Sequence, residues 1–258
     1  MQRGICRLCG NNRELLKRSH IISDFMYEPA YDAKHRLLVF NPAQEVQRKG
    51  QLRRPPSAPY DSNILCLDCD TKTLRNYETY AAKLFFGKNL PPSVAPNVQN
   101  YKDPKNGFGE TYVSNIDYAS LKLFMLSLLW RAHISEHSFF TEVSLGPWEQ
   151  KIRIALLNGL APDEDHLPMF FMGWVMTTSI PTDMVSQPRH FRWKGKYQVY
   201  QFMFRGLIAL VFMSESADTS IIDRHKLKAD GTLKILNLSD RAMREFFATT
   251  FRISPSWV

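Results

Sequence analysis

Two cysteine pairs carry the clearest chemical signal in this chain. Cys6 and Cys9 form one Cys-x-x-Cys knuckle, Cys66 and Cys69 form a second, and the 258 residues contain 4 cysteines in all. Two knuckles supply four soft thiolates, the ligand set that a tetrahedral structural Zn²⁺ prefers. The alternatives are two disulfides or four buried thiols. No signal peptide precedes Cys6, so we expect a reducing compartment, which favours the metal.

Polar residues that could act on a substrate lie close to both knuckles. The segment Ser19-His20-Ile21-Ile22 lies between them, Asn63 comes shortly before the second, and Asp70 follows it directly. A neutral histidine near a carboxylate-bound metal can take a proton from water. Each residue of a helix advances by about 100°, so Asp70 shares the buried stripe of the helix expected after Cys69. Glu78 lies at the edge of that stripe and is a second candidate carboxylate.

These motifs together resemble a zinc-stapled HNH nuclease of the ββα-metal, treble-clef type. The resemblance covers about residues 3–86 and rests on Cys-x-x-Cys, a histidine followed by two isoleucines, and Asn-Ile-Leu-Cys-x-x-Cys. It implies that His20 is the general base, that Asn63 braces the loop, and that Asp70 binds a catalytic Mg²⁺ or Mn²⁺. Ser19 departs from the family, which usually has a metal-ligating Asp or His there. Ser23 stands where Pro is usual, and Asp70 where His or Asn is usual.

Each candidate also has a purely structural interpretation. His20 could be a core histidine or a partner of the zinc module, and Asn63 could only form a turn. An acid at Asp70 is favoured by the helix dipole in any case. Glu78 could pair with Arg75 or Lys72 on its own helix. In the second part of the chain, Trp130 and Arg131 are interpreted as core and rim residues, and His133 and His137 as ordinary.

The charge of the chain suggests a polyanionic partner. The net charge is +8, and residues 1–60 hold 11 Lys/Arg against 5 Asp/Glu, so they carry +6 of it. The segment 46–54 predicts a hairpin with a Lys49-Gly50 turn. Its cations, Arg48, Lys49, Arg53 and Arg54, are candidate phosphate contacts, or else a solvated surface. We therefore expect nucleic acid as the partner, with DNA favoured.

The predicted fold class is α+β, in which the zinc-stapled module is followed by a domain of helices and antiparallel strands. The module is assigned to residues 1–90, with its helix ending at Gly87. Residues 91–117 are rich in Pro, Asn, Gly and Asp, which predicts a linker or long loop. Residues 118–258 form the second domain, whose role the sequence does not indicate. Parts of it resemble a group of uncharacterised bacterial proteins with the same knuckles.

Hydrophobic periodicity gives the expected elements of the second domain. Helices are predicted over 118–133, from Pro147 to about 157, and over 240–247 with Ser239 as N-cap. Meandering antiparallel strands are predicted over 169–178, 198–204 and 207–213, with Lys194-Gly195 as a turn. The longest apolar run, near 123–130, is too short to cross a bilayer.

The sequence therefore predicts a cytoplasmic protein, bound to no membrane, that is either a nuclease or a binding module. In the first case His20 activates water for phosphodiester hydrolysis, with Zn²⁺ as a structural metal. In the second a non-catalytic zinc module binds DNA or RNA, and Ser19 is the best argument for it. A third possibility is a zinc domain that binds only proteins. A homo-oligomer or a protein partner would fit the unassigned second domain.

Overall fold

A computed structural model describes residues 2–37, 57–87, 90–102, 109–174, 182–216 and 220–251. The protein is α+β, with a 7-stranded sheet, helices against both faces of that sheet, and an N-terminal module of two small sheets and a helix. The predicted class is therefore confirmed at the level of mixed helix and sheet. The basic hairpin predicted over 46–54, with Arg48, Lys49, Arg53 and Arg54, lies outside the described residues.

The N-terminal module is built from short elements around the cysteine pairs. Strands β1 and β2 form an antiparallel hairpin, β3 and β4 form a second two-stranded sheet, and a 3-10 helix, Asp24–Ala30, follows β3. The strands span Gln2–Ile5, Asn12–Leu15, Ser19–His20 and Tyr60–Asp61. After the second knuckle, a π-helical turn, Cys69–Leu74, continues as α1, Arg75–Phe86, and ends at Gly87 in the left-handed conformation, as predicted.

The large sheet has the strand order β5-β6-β11-β7-β10-β9-β8. Its strands span Asn97–Lys102, Gly109–Ser114, Met169–Gly173, Arg189–Trp193, Tyr197–Phe204, Leu207–Met213 and Leu233–Asn237, numbered β5 to β11 in chain order. Neighbours run antiparallel except for β11 and β7, which are parallel. The stretch 91–117, expected to be a linker or long loop, thus contains β5 and β6. Their polar, partly exposed residues resemble a loop by composition, but pairing with β11 makes them strands.

The central strands are buried on both faces, which explains their nearly continuous apolar sequences. In β10, Ala209 and Val211 belong to the apolar core that contains α2, Tyr118–Ile134, while Ile208 and Leu210 face a second cluster that includes Met243. The second cluster lies towards α4, Ser220–His225, and α5, Asp240–Phe251. The sheet is therefore the middle layer of a three-layer arrangement.

Helix α2 is the centre of the larger core. Thirteen of its 17 residues are buried, and it packs against α1 of the N-terminal module and against α3, Trp148–Asn158. Asp117 caps α2 by accepting a hydrogen bond from the Ser120 N–H at 3.0 Å. Because α2 contacts both parts of the chain, one continuous core joins the cysteine knuckles to the sheet. Of the helices in the described ranges, none is both long enough and apolar enough to cross a bilayer.

Gly231 is a position where the fold requires glycine. Its φ is +78°, and a Cβ there would lie 2.3 Å from the Ile116 carbonyl oxygen. The Ile116 N–H also donates a hydrogen bond to the Gly231 carbonyl at 3.0 Å, which holds the two segments together. We expect Gly231→Ala to lower the free energy of unfolding by about 2–4 kcal/mol, since it adds both backbone strain and a clash. Gly195 has φ +70° and nothing within 4 Å of such a Cβ, so Gly195→Ala should cost only about 1 kcal/mol. Equal urea midpoints for the two variants would contradict this.

Candidate functional site

The four cysteines converge on one point. Their Sγ atoms all lie within 4.8 Å of one another, none is in a disulfide, and three of the four side chains are buried, with Cys9 partly exposed. Within the described ranges, this is the one group of three or more Cys, His, Asp or Glu side chains whose ligand atoms are so close. The structure therefore does not contain the two disulfides that the sequence left as an alternative.

Local backbone geometry turns each pair of thiols inwards. In the first knuckle the Gly10 N–H donates to the Cys6 carbonyl at 2.8 Å, and Gly10 has φ +76°. In the second the Asp70 N–H donates to the Cys66 carbonyl at 3.1 Å, which is the same turn. A bridge between Leu15 and Cys66 joins β2 to the second knuckle. The two knuckles are thus held face to face by main-chain hydrogen bonds rather than by the sulfurs alone.

The chemistry of this cluster fits a structural metal such as zinc. A tetrahedral Zn²⁺ with Zn–S bonds of about 2.3 Å needs sulfurs roughly 3.8 Å apart, which is compatible with four Sγ atoms that all lie within 4.8 Å of one another. Cys6 accepts a hydrogen bond from the Cys66 N–H at 3.4 Å and another from the Cys69 side chain. The bond from Cys69 is the largest cause that lowers the pKa of Cys6 to about 4. The same bond raises the pKa of Cys69. Binding of a metal cation would displace the thiol protons, because the ligands of such a metal are thiolates.

A second polar group lies beside the cysteines, around His20. Strand β3 pairs with β4 so that His20 is opposite Tyr60, and the two rings meet edge to face with centroids 6.4 Å apart. The His20 carbonyl accepts a hydrogen bond from Nη1 of Arg131 at 3.0 Å. Its Nε2 is buried and has no hydrogen-bond partner. The main chain of His20 is thus held by Arg131, while its Nε2 makes no hydrogen bond to a described residue.

Arg131 of α2 connects the elements around this histidine. Its side chain is only 2% exposed, and its Nη2 lies 2.7 Å from Oε1 of Glu78 in α1. The same Glu78 oxygen accepts a hydrogen bond from the Ser23 hydroxyl at 2.8 Å, and Ser23 also contacts Arg131 at 3.3 Å. The pairing expected for Glu78, with Arg75 or Lys72 on its own helix, is therefore replaced by a pairing across helices. The reason is that α1 packs its Glu78 face against α2.

Asp70 lies within electrostatic reach of the same group. Burial is the main cause that raises the pKa of Asp70, the charge of Glu78 raises it further, and the charges of Arg131 and His20 oppose both. No described residue donates a hydrogen bond to its carboxylate, which leaves those oxygens available. However, His20, Asp70 and Glu78 do not bring their ligand atoms within 4.8 Å of one another, since the cysteines alone meet that limit in the described ranges.

Asn63 differs from the residues around His20 because it is an exposed turn residue. It is exposed, its φ is +61°, and its N–H donates to the Leu16 carbonyl at 2.8 Å. This is the geometry of a turn residue, for which Asn is well suited. Ser19, next to His20, is 1% exposed, and its hydroxyl has no hydrogen-bond partner.

Comparison of the chain with protein-family models, with curated proteins and with solved structures finds no match. The HNH resemblance therefore stays a prediction that rests on the quoted motifs. The arrangement itself consists of a cysteine cluster that could hold a structural metal, an ion pair between the buried Arg131 and the partly buried Glu78, the buried Nε2 of His20, and the Asp70 carboxylate. Arg131 is the participant that the sequence interpretation missed. The signal was a cation inside an otherwise apolar helix, which must find a partner to be buried.

Proposed function

We propose that this protein is a metal-dependent nuclease that hydrolyses nucleic-acid phosphodiester bonds with His20 as the general base. The observation that carries the proposal is the buried Nε2 of His20, which has no partner although its backbone is held by Arg131. Most buried polar atoms are hydrogen-bonded, and a catalytic role is one explanation for an exception. The nearby Asp70 carboxylate adds the hard oxygen ligand that such chemistry uses.

Each residue has a distinct task in this proposal. His20 takes the proton from the attacking water. Asp70 would hold Mg²⁺ or Mn²⁺, which when bound would neutralise the scissile phosphate and stabilise the leaving oxygen. Glu78 already accepts from Arg131 and Ser23, so it fits the task of orienting Arg131 better than that of a metal ligand. Asn63 remains a candidate for bracing the turn before the second knuckle.

The surface charge supports nucleic acid as the partner. Five exposed cations lie within residues 2–18 of the module, namely Arg3, Arg7, Arg13, Lys17 and Arg18. Cations at this density release counterions from a phosphate backbone and so favour binding at low salt. We propose DNA as the favoured substrate, with Arg48, Lys49, Arg53 and Arg54 as further phosphate contacts.

A second candidate function is a zinc module that binds DNA or RNA without cleaving it. Ser19, at the position where HNH nucleases usually carry a metal ligand, is buried with an unpartnered hydroxyl, and hydroxyls are weak ligands for Mg²⁺. In addition, the acidic side chains of this region do not form a compact ligand cluster. This candidate predicts salt-dependent binding with no hydrolysis.

Cleavage by wild type and by His20→Ala separates the two candidates. We expect wild type to cleave plasmid DNA or structured RNA with Mg²⁺ or Mn²⁺, and His20→Ala to be slower by at least about 100-fold, because the base is removed. Both proteins are first shown to carry one zinc. His137→Ala, which changes an exposed histidine elsewhere, is the matched control and should cleave like wild type. Equal cleavage by wild type and His20→Ala would contradict the proposal, and binding by wild type without cleavage would favour the second candidate.

A further inference from the structure

A stacked pair of exposed side chains lies directly beside His20. The guanidinium carbon of Arg18 is 4.2 Å from the centroid of the Tyr60 ring, and Tyr60 is the cross-strand neighbour of His20. Arg18 also donates from Nη2 to the Ser57 hydroxyl at 3.1 Å, which fixes the plane of the guanidinium. The pair therefore forms a flat, cationic surface at the edge of the small β3–β4 sheet.

Exposure and the lack of a carboxylate partner distinguish this pair from the lysine–aromatic contacts at Lys151 and Lys122. Lys151, over Trp148, is neutralised by Glu215, and Lys122, over Tyr118, is buried and donates to main-chain carbonyls. Arg18 is exposed, and no carboxylate in the described ranges pairs with it. Its N–H groups other than the one that bonds Ser57 remain available to an anion.

The chemistry that such a surface recognises is that of an unpaired nucleotide. An exposed tyrosine with an arginine against it offers a π face for a base and donors for the adjacent phosphate. Bases inside a duplex are stacked on each other and cannot use it, whereas bases of single strands, loops and bulges can. Because Tyr60 contacts the His20 ring, a nucleotide bound there would have its backbone next to His20.

We infer that Arg18 and Tyr60 form a subsite for an unpaired nucleotide beside His20, so that the proposed nuclease prefers unpaired segments of its nucleic-acid substrate. This inference rests on the proposed function for its catalytic meaning. The subsite itself is a binding property and can be measured without hydrolysis.

The test is binding of fluorescent oligo-dT, oligo-U and a blunt DNA duplex, without added Mg²⁺ or Mn²⁺ and with intact probes checked on gels. We expect wild type to bind the single strands more tightly than the duplex. Tyr60→Ala should weaken binding of the single strands by roughly tenfold and leave the duplex unchanged, because only unpaired bases stack. Comparison of oligo-dT with oligo-U distinguishes a DNA substrate from an RNA substrate.

Arg18→Gln is a second variant, which keeps the inference testable if Tyr60→Ala does not fold. Because the Arg18 side chain is exposed, we expect this change to leave folding intact. It should lower the slope of log affinity against log salt by about 0.7 for a single strand, as one phosphate contact is lost. Arg205→Gln is the matched control, because Arg205 lies 4.3 Å over the Phe86 ring and is exposed but does not contact His20 or Tyr60. It should leave binding unchanged.

The outcomes separate this inference from the proposed function. Equal losses for duplex and single strand in Tyr60→Ala, or no loss in either Tyr60→Ala or Arg18→Gln, would overturn the subsite even if His20→Ala abolishes cleavage. A selective loss of single-strand binding supports the subsite even if wild type cleaves nothing, in which case the proposed function alone fails.

Discussion

Cys66→Ser is expected to prevent zinc binding at the cysteine cluster and to unfold the N-terminal module. Binding of structural zinc in small modules contributes roughly 10 kcal/mol to folding, and serine is a poor replacement for a thiolate. Cys66 is 3% exposed and its N–H bonds Cys6, so the change also disturbs the opposite knuckle. We expect less than one zinc per chain by elemental analysis and a clearly lower midpoint of thermal unfolding.

Leu67→Ser is the matched control for this prediction. Leu67 lies in the same knuckle and is 54% exposed, so serine there should change neither the zinc content nor the unfolding midpoint. Chelation of wild type should reproduce the effect of Cys66→Ser, and acidification should do the same because protons compete for the thiolates. Full zinc content in Cys66→Ser, or destabilisation of wild type by a reductant rather than by a chelator, would contradict the prediction.

The sequence was most informative where the signal is local. Cys-x-x-Cys spacing predicts the cysteine cluster because two intervening residues are enough to turn both sulfurs to one side. The helix ends were also predictable, because a helix cap depends on residues within one turn of the helix end. Helix α1 ends at Gly87, and α5 begins after Ser239, whose hydroxyl accepts a hydrogen bond from the Ala242 N–H at 3.2 Å. Strands β9 and β10 were predictable from their continuous apolar residues.

The features that the sequence did not predict depend on partners far along the chain. Strands β5 and β6 have polar, partly exposed residues, so composition gave no reason to expect them until they pair with β11. The same holds for Glu78, whose partner is Arg131 rather than a neighbour on α1, because α2 supplies a buried cation that needs a carboxylate. Lys122, at the other end of the same helix, is satisfied in a similar way by the carbonyls of Asp163 and His166.

Arg131→Met is expected to have the largest effect on stability of any single change in the core around His20. Arg131 is 2% exposed, and its loss leaves the Glu78 carboxylate with the Ser23 hydroxyl as its remaining donor and the His20 carbonyl without the hydrogen bond from Arg131. Removing one partner of a fully buried ion pair costs about 3–5 kcal/mol, and because the remaining Glu78 side chain is 23% exposed we expect the lower end of that range. The measurement is urea unfolding. Arg241→Met, which breaks an exposed pair with Glu245, should cost less than about 1 kcal/mol.

The double variant Arg131→Met, Glu78→Met distinguishes the contribution of Arg131 to stability from its contribution to the position of His20. With neither charge present, most of the lost stability should return, because apolar side chains of similar size can replace a buried ion pair at little cost. The His20 carbonyl still lacks the hydrogen bond from Arg131, so β3 is no longer held against α2 at this point. If Arg131 positions the proposed general base, the stable double variant should cleave nucleic acid far more slowly than wild type. Full cleavage by a stable double variant would show that Arg131 serves folding alone, and an Arg131→Met variant as stable as Arg241→Met would refute the buried pair itself.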